Sequence, residues 1–194
     1  MPKPIRPSQE KEIAAALVLL FEDWENRDWN REEFKEELRL ALTGKLGEIY
    51  QEAASKFIEQ HNLDISQQVV EVNALRWATA YAMMLAGEIA QTTEKAMEAG
   101  LPPFTPERAD MITTTETTRA MQGGKRAVVE DRKRQNQEQW EGYWITHPEK
   151  SLSGVCPVCK PLNGTPESEW SKVAYDGPPV HPHCVCEVRY ERIA

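Results

Sequence analysis

The sequence predicts a mainly α protein with a small C-terminal β lobe, an α+β plan. Two observations carry that prediction. Apolar residues recur at helical spacing from about Ser8 to Gln139, and after Gln139 aromatic, Pro, Gly and Cys residues take over. All four cysteines lie beyond residue 155, two of them in the terminal stretch HPHCVCEV. The expected organisation is an N-terminal helical extension over 1–65, further helices over 66–139 and a β lobe over 140–194.

The elements follow in order. Residues 1–7 hold three prolines and read as an extended tail. Ile13, Leu17, Leu20, Phe21 and Trp24 then mark one face of a helix from about Ser8 to Glu25. Asn30 with Glu33 is a capping-box pattern, and Trp29 with Phe34 suits the hydrophobic staple. A long second helix runs on from there through Phe34, Leu38, Leu42, Ile49 and Phe57, weakened at its middle by Gly44 and Gly47. Asn62–Ser66 is a turn. The stretch 67–99 reads as a third helix, apolar nearly all round between 74 and 90, where Arg76 and Glu88 are the only charges. Such a helix is expected at the centre of a bundle. GLPPF (100–104) breaks it, and Thr105-Pro106 supplies an N-cap and a first-turn proline for a fourth helix. Gly123-Gly124 is expected to end that helix, with a fifth running to about Gln139. QWEGYWIT then reads as a strand and HPEKSLSG as a loop. The last segment alternates, with Cys184, Cys186, Val188 and Tyr190 on one face.

Charge narrows the function. The formal charge is −8, and residues 1–100 carry 11 Lys+Arg against 18 Asp+Glu. An acidic surface of this kind argues against non-specific nucleic-acid binding. No apolar leader follows the start, and WATAYAMMLAG (77–87) is too short to span a membrane. Reduced thiols are therefore expected, and paired cysteines point to a metal before disulfides.

Cys156 and Cys159 form a C-x2-C on a proline-containing turn, which brings two sulfurs to one point. His181, Cys184 and Cys186 follow as H-x2-C-x-C. These five are candidates for four tetrahedral positions, with zinc the default ion for a thiolate-rich set. The favoured set is Cys156, Cys159, His181 and Cys184; exchange of His181 for Cys186 is the alternative. His183 is expected to face solvent. Such a closed set is structural, tying the 160–180 loop to the terminal strand.

The sequence TTTETTRAMQGG, a later strand tryptophan, CPVCKPLNG and PPVHPHCVCEV together resemble the phage head-morphogenesis family, the Mu F-like minor head proteins. That family's pattern, C-P-x-C-x-x-L-x-G followed by P-P-x-H-P-x-C-x-C, falls here on Cys156, Pro157, Cys159, Leu162, Gly164, Pro178, Pro179, His181, Pro182, Cys184 and Cys186. Its Thr-Glu pair falls on Thr115 and Glu116, and its strand tryptophan on Trp144. The likeness spans roughly residues 70–194. Val185 and His183 stand where the family usually has Arg and Asn. The resemblance implies a structural protein of the virion head near the portal vertex, assembled in the host cytoplasm. Its partners would be the portal protein or the major capsid protein, together with packaged DNA, with no membrane and no small-molecule substrate.

Glu116 and Arg119 are spaced for an i,i+3 ion pair. The alternative is a buried Glu116 that anchors Trp144 or the metal loop, since a buried carboxylate must be paired. Lys125, Arg126, Arg132, Lys133 and Arg134 form the one basic concentration, five bases against two acids over 125–134. It suits contact with DNA or an acidic partner, and underlies the alternative of a zinc-dependent nucleic-acid-binding module. A zinc nuclease using His147 or His183 as base would need a basic cleft and a carboxylate cation site that four histidines do little to build. No phosphate loop or nucleophile elbow is present, and no catalysis is expected.

Overall fold

The computed structural model describes residues 6–136, 138–150 and 154–193. Four long helices are followed by a two-stranded antiparallel sheet, so the mainly α plan with a small β lobe is observed. Helix α1 spans Arg6–Glu25, α2 Arg31–Gln60, α3 Gln67–Glu98 and α4 Pro106–Asn136. Strand β1 (Trp140–Ile145) pairs with β2 (Glu187–Arg192), and one short helix, α5 (Glu167–Trp170), lies between them. Helix α1 begins two residues before Ser8, and residues 1–5 of the expected tail, like 151–153 of the expected loop, lie outside the described residues.

The local signals do what their chemistry requires. Asn30 accepts the Glu33 N–H at 3.3 Å, and the Trp29 and Phe34 rings meet at 5.1 Å. Ser66 and Thr105 cap α3 and α4 by accepting the N–H groups of Val69 and Arg108. The Glu33 carboxylate pairs with Arg27 rather than closing the capping box. Strand β2 starts later than the alternation suggests, because residues 181–186 form turns and extended backbone that turn the cysteines toward one another.

Helix α2, not α3, holds the centre of the bundle, packing against α1, α3 and α4. Helix α3 lies on α2 through Ala74, Ala78, Ala82 and Ala86, all at most 2% exposed, while Leu75, Met83 and Met84 are at least half exposed. A helix apolar all round leaves its buried face undecided by periodicity. The small residues decide it, because they let the two backbones come close.

The pair Gly123-Gly124 does not end a helix; α4 runs straight through it. A Cβ at Gly124 would collide with the Tyr50 carbonyl oxygen, and one at Gly123 would press on the Tyr50 ring at 3.3 Å. The glycines serve close contact between α2 and α4, at a propensity cost of about 1 kcal/mol each that packing offsets.

Residues of all four helices share one core, from Ile13, Phe21 and Trp24 through Phe34 and Leu42 to Ile89 and Ala120. A second core joins the ends of α2 and α4 to the lobe, with Phe57 and Val129 meeting Trp140, Trp144, Trp170 and Tyr190. The lobe is therefore fixed to the bundle by buried aromatic surface, and its loops are held where the cysteines converge.

Candidate metal centre

The five predicted ligands come together at the edge of the second core. Cys156 and Cys159 sit on the turn that leads into the 3-10 turn Lys160–Leu162. The Cys159 N–H points at the Cys156 sulfur, 3.2 Å away, and the Lys160 N–H bonds the Cys156 carbonyl at 2.9 Å. The tight turn thus aims both sulfurs one way and gives one of them a backbone donor. The loop behind is sewn to β1: Gly164 N–H donates to Trp144 O at 2.7 Å and Trp144 N–H to Thr165 O at 3.1 Å. Asn163 Oδ1 accepts from both the N–H and the hydroxyl of Thr146.

His181 faces this turn from the other side. Its Nδ1 lies 2.7 Å from Pro182 O, so that nitrogen carries the proton and Nε2 offers its lone pair. Nε2 stands 3.0 Å from Cys156 Sγ and 3.3 Å from Cys159 Sγ, and Cys159 Sγ is 4.0 Å from Cys184 Sγ. A tetrahedron with metal–ligand arms of about 2.0–2.3 Å has edges of about 3.3–3.8 Å, values that these separations bracket. The ligand atoms form two overlapping groups, Cys156–Cys159–His181 and Cys159–Cys184–Cys186, each mutually within 4.8 Å. Cys159 belongs to both.

The electrostatics fit a cation. Burial pushes the Cys159 thiol up, and its hydrogen bond to Cys184 pushes Cys186 up. That same bond draws Cys184 down to about 5. Cys159, Cys184 and Cys186 are all buried. Neighbouring buried sulfurs cannot all ionise without a compensating charge, and a divalent ion supplies it. The residues therefore fit a metal, with the thiolate-and-imidazole chemistry that such a site needs.

The His183 side chain is exposed, as expected, and lies 3.9 Å from Asp110, but its backbone does the anchoring. With φ of +57°, it aims its N–H at Thr115 Oγ1 on α4, 3.0 Å away. One residue on, Glu116 is 6% exposed and accepts from the Tyr81 hydroxyl at 2.5 Å and from Arg119 Nε at 3.2 Å. The i,i+3 pair with Arg119 is present. The contact with Trp144 is not: Glu116 is anchored to α3, and its neighbour Thr115 holds the lobe. Trp144 is fully buried against Trp170, ring centres 5.9 Å apart, and its Nε1 has no hydrogen-bond partner among the described residues.

The basic concentration turns toward the protein's own acids. Lys125 pairs with Glu187 at 2.8 Å, Arg126 with Glu130 at 2.7 Å, Arg132 with Glu138 at 2.7 Å and Lys133 with Glu167 at 3.5 Å. Arg134 donates to the Glu130 carbonyl. Three of these pairs tie α4 to the residues just before β1 and to the lobe. His147, the candidate base, is held between Glu149 and Glu187, 2.9 Å from each. Sequence reasoning singled out Thr115 only as half of the Thr-Glu pair, not as a lobe anchor, and missed Gln122, whose Oε1 accepts the buried Val188 N–H. Hydroxyl and amide side chains inside a helix give no signal that they serve another element. No described helix is long and apolar enough to cross a membrane.

Compared with known proteins, the chain matches no family model, no curated protein sequence and no solved structure.

Proposed function

We propose that this chain is a structural minor head protein of a phage, a non-catalytic component that associates with the portal or the major capsid protein during head assembly. The observation that carries the reading is the head-morphogenesis pattern itself, whose residues each have a physical job here. Cys156, Cys159 and His181 converge, Cys159 is shared with a second group of Cys184 and Cys186, Leu162 is buried in the same core, and Gly164 bonds the backbone of Trp144. Zinc is the ion we propose, because four ligands drawn from these four cysteines and one histidine match its preference for a thiolate-rich tetrahedron. Its work is to fasten the loop to the terminal strand.

Pairing of the basic residues within the chain supports a protein partner over DNA. The outer face of α3, where Leu75 and Met83 are 66% and 58% exposed, is the surface that suits a portal or coat subunit. The test is co-expression with the portal and coat proteins of the same phage, followed by purification and electron microscopy of the heads. Extra density at the portal vertex, lost in a Leu75→Glu, Met83→Glu double variant that still folds, is expected. Normal heads without the chain, and no association with either partner, would overturn the reading.

A further inference from the structure

Helix α3 packs chiefly on α2, which leaves its opposite side open. On that side Arg76, Ala80, Met84 and Glu88 are exposed and follow one another at four-residue steps, so they lie along a single ridge. Leu75, Thr79 and Met83 form the ridge beside it and are exposed as well. The first ridge carries a charge at each end, with a small residue and a large one between. Its two charges stand about 18 Å apart along the helix axis.

Neither charge finds its opposite within the chain. Three and four residues from Arg76 lie Val72, Asn73, Thr79 and Ala80; the same positions around Glu88 hold Met84, Leu85, Gln91 and Thr92. No helical ion pair can form at either site. Neither side chain has an ion-pair or hydrogen-bond partner among the described residues. The arginines of α2 and α4, by contrast, are each held by a carboxylate or a carbonyl. Arg76 and Glu88 are therefore free to meet charges from outside.

We propose that this face pairs with the same face of a second copy of the chain, the two α3 helices running antiparallel about a two-fold axis level with Ala82. A two-fold contact requires a surface complementary to itself, and reversing the ridge about its midpoint supplies one. Arg76 meets Glu88 of the second copy, and Ala80 meets Met84. Every positive charge faces a negative one, every large side chain a small one, and each contact occurs twice. A parallel pair would set Arg76 on Arg76 and Met84 on Met84, like on like. Leu75 and Met83, 66% and 58% exposed in the single chain, flank the seam and add apolar surface to it. From Val72 to Glu88 the face runs about 24 Å, short for an obligate dimer and suited to a reversible one. The inference does not rest on the head-protein reading: it concerns the free chain, and a portal or coat subunit on this face would displace the second copy.

The test is sedimentation velocity of the full chain alone across a range of micromolar concentrations. The parent is expected to pass reversibly from one chain to two. Arg76→Glu and Glu88→Arg each place two like-charge pairs in the contact, and each variant alone should associate at least about tenfold more weakly. Both positions are exposed, so both variants should melt with the parent. An equimolar mixture of the two should associate as the parent does, because each variant offers the charge that the other needs. A parent that stays a single chain at every concentration, variants that pair as tightly as the parent, or a mixture no better than its parts would each overturn the proposal. No portal or coat protein enters these measurements, so this inference and the head-protein reading fail separately.

Discussion

The Thr115 hydroxyl and the backbone N–H of His183 meet at 3.0 Å, and through them the central turn of α4 holds the loop that presents His181 and Cys184. The bond joins residues far apart in sequence and carries no charge. A neutral hydrogen bond of this kind contributes about 0.5–1.5 kcal/mol. Thr115→Val keeps the shape and removes the acceptor. Its expected effect is a several-fold weaker hold on the metal in competition with a chromogenic chelator, with the melting of the helical body unchanged. Unchanged metal affinity would show that the His181 loop positions itself.

The metal centre makes a separate prediction about ligand rank. Cys159 belongs to both groups of converging donors, and Cys186 to only one. Purified protein should carry about one equivalent of a transition-metal ion, zinc on the present proposal. Chelation should loosen the lobe, seen in the fluorescence of Trp144 and Trp170, before the helices melt. Cys159→Ser should reproduce the chelated state, and Cys186→Ser should be milder. Metal retained by Cys159→Ser at full affinity would rule out the arrangement.

Two glycines separate packing from propensity. At Gly44 a Cβ meets nothing within 4 Å, so Gly44→Ala should stabilise the protein by up to about 1 kcal/mol. At Gly124 the same methyl runs into the Tyr50 backbone, where no side chain can move aside. Gly124→Ala should cost about 1–3 kcal/mol or more by forcing α2 and α4 apart. Urea titration of both variants reads the two signs, and a stabilising Gly124→Ala would mean the helices do not approach as described.

These contrasts also show what was legible in the sequence. Caps, breaks and strands follow from local chemistry, and Asn30, Ser66, Thr105 and the alternation ending at Tyr190 announced them. The C-x2-C and H-x2-C-x-C spacings picked out all five side chains that converge, because turn geometry and ligand chemistry are local. The fate of Gly123-Gly124 was not legible. A glycine pair reads equally as a helix end or as a close crossing, and only the approach of Tyr50 decides between them. The buried face of α3 was hidden for the converse reason: with apolar residues all round, nothing local separates Ala78 from Leu75. Tyr81 as the partner of Glu116 depends on the packing of α3 beside α4, which no spacing encodes.

That last pair sets a pH dependence. Burial raises the Glu116 carboxyl above its usual range, against the opposing pull of Tyr81 and Arg119. A carboxyl raised on folding binds more protons in the folded state than in the unfolded one. Its stabilising contribution is complete below the unfolded pKa, about 4.3, and is lost as pH rises through the folded value. Glu116→Gln keeps a neutral acceptor for the Tyr81 hydroxyl at every pH. Near pH 4 the variant and parent should melt together; by pH 7.5 the variant should melt higher, by an amount that grows across the interval between the two pKa values. Acid release of a bound metal affects both proteins alike and cancels in the difference. Melting curves at half-unit steps from pH 4 to 7.5 provide the comparison. A variant that falls further below the parent as pH rises would mean that the ion pair with Arg119 outweighs the cost of burying the charge.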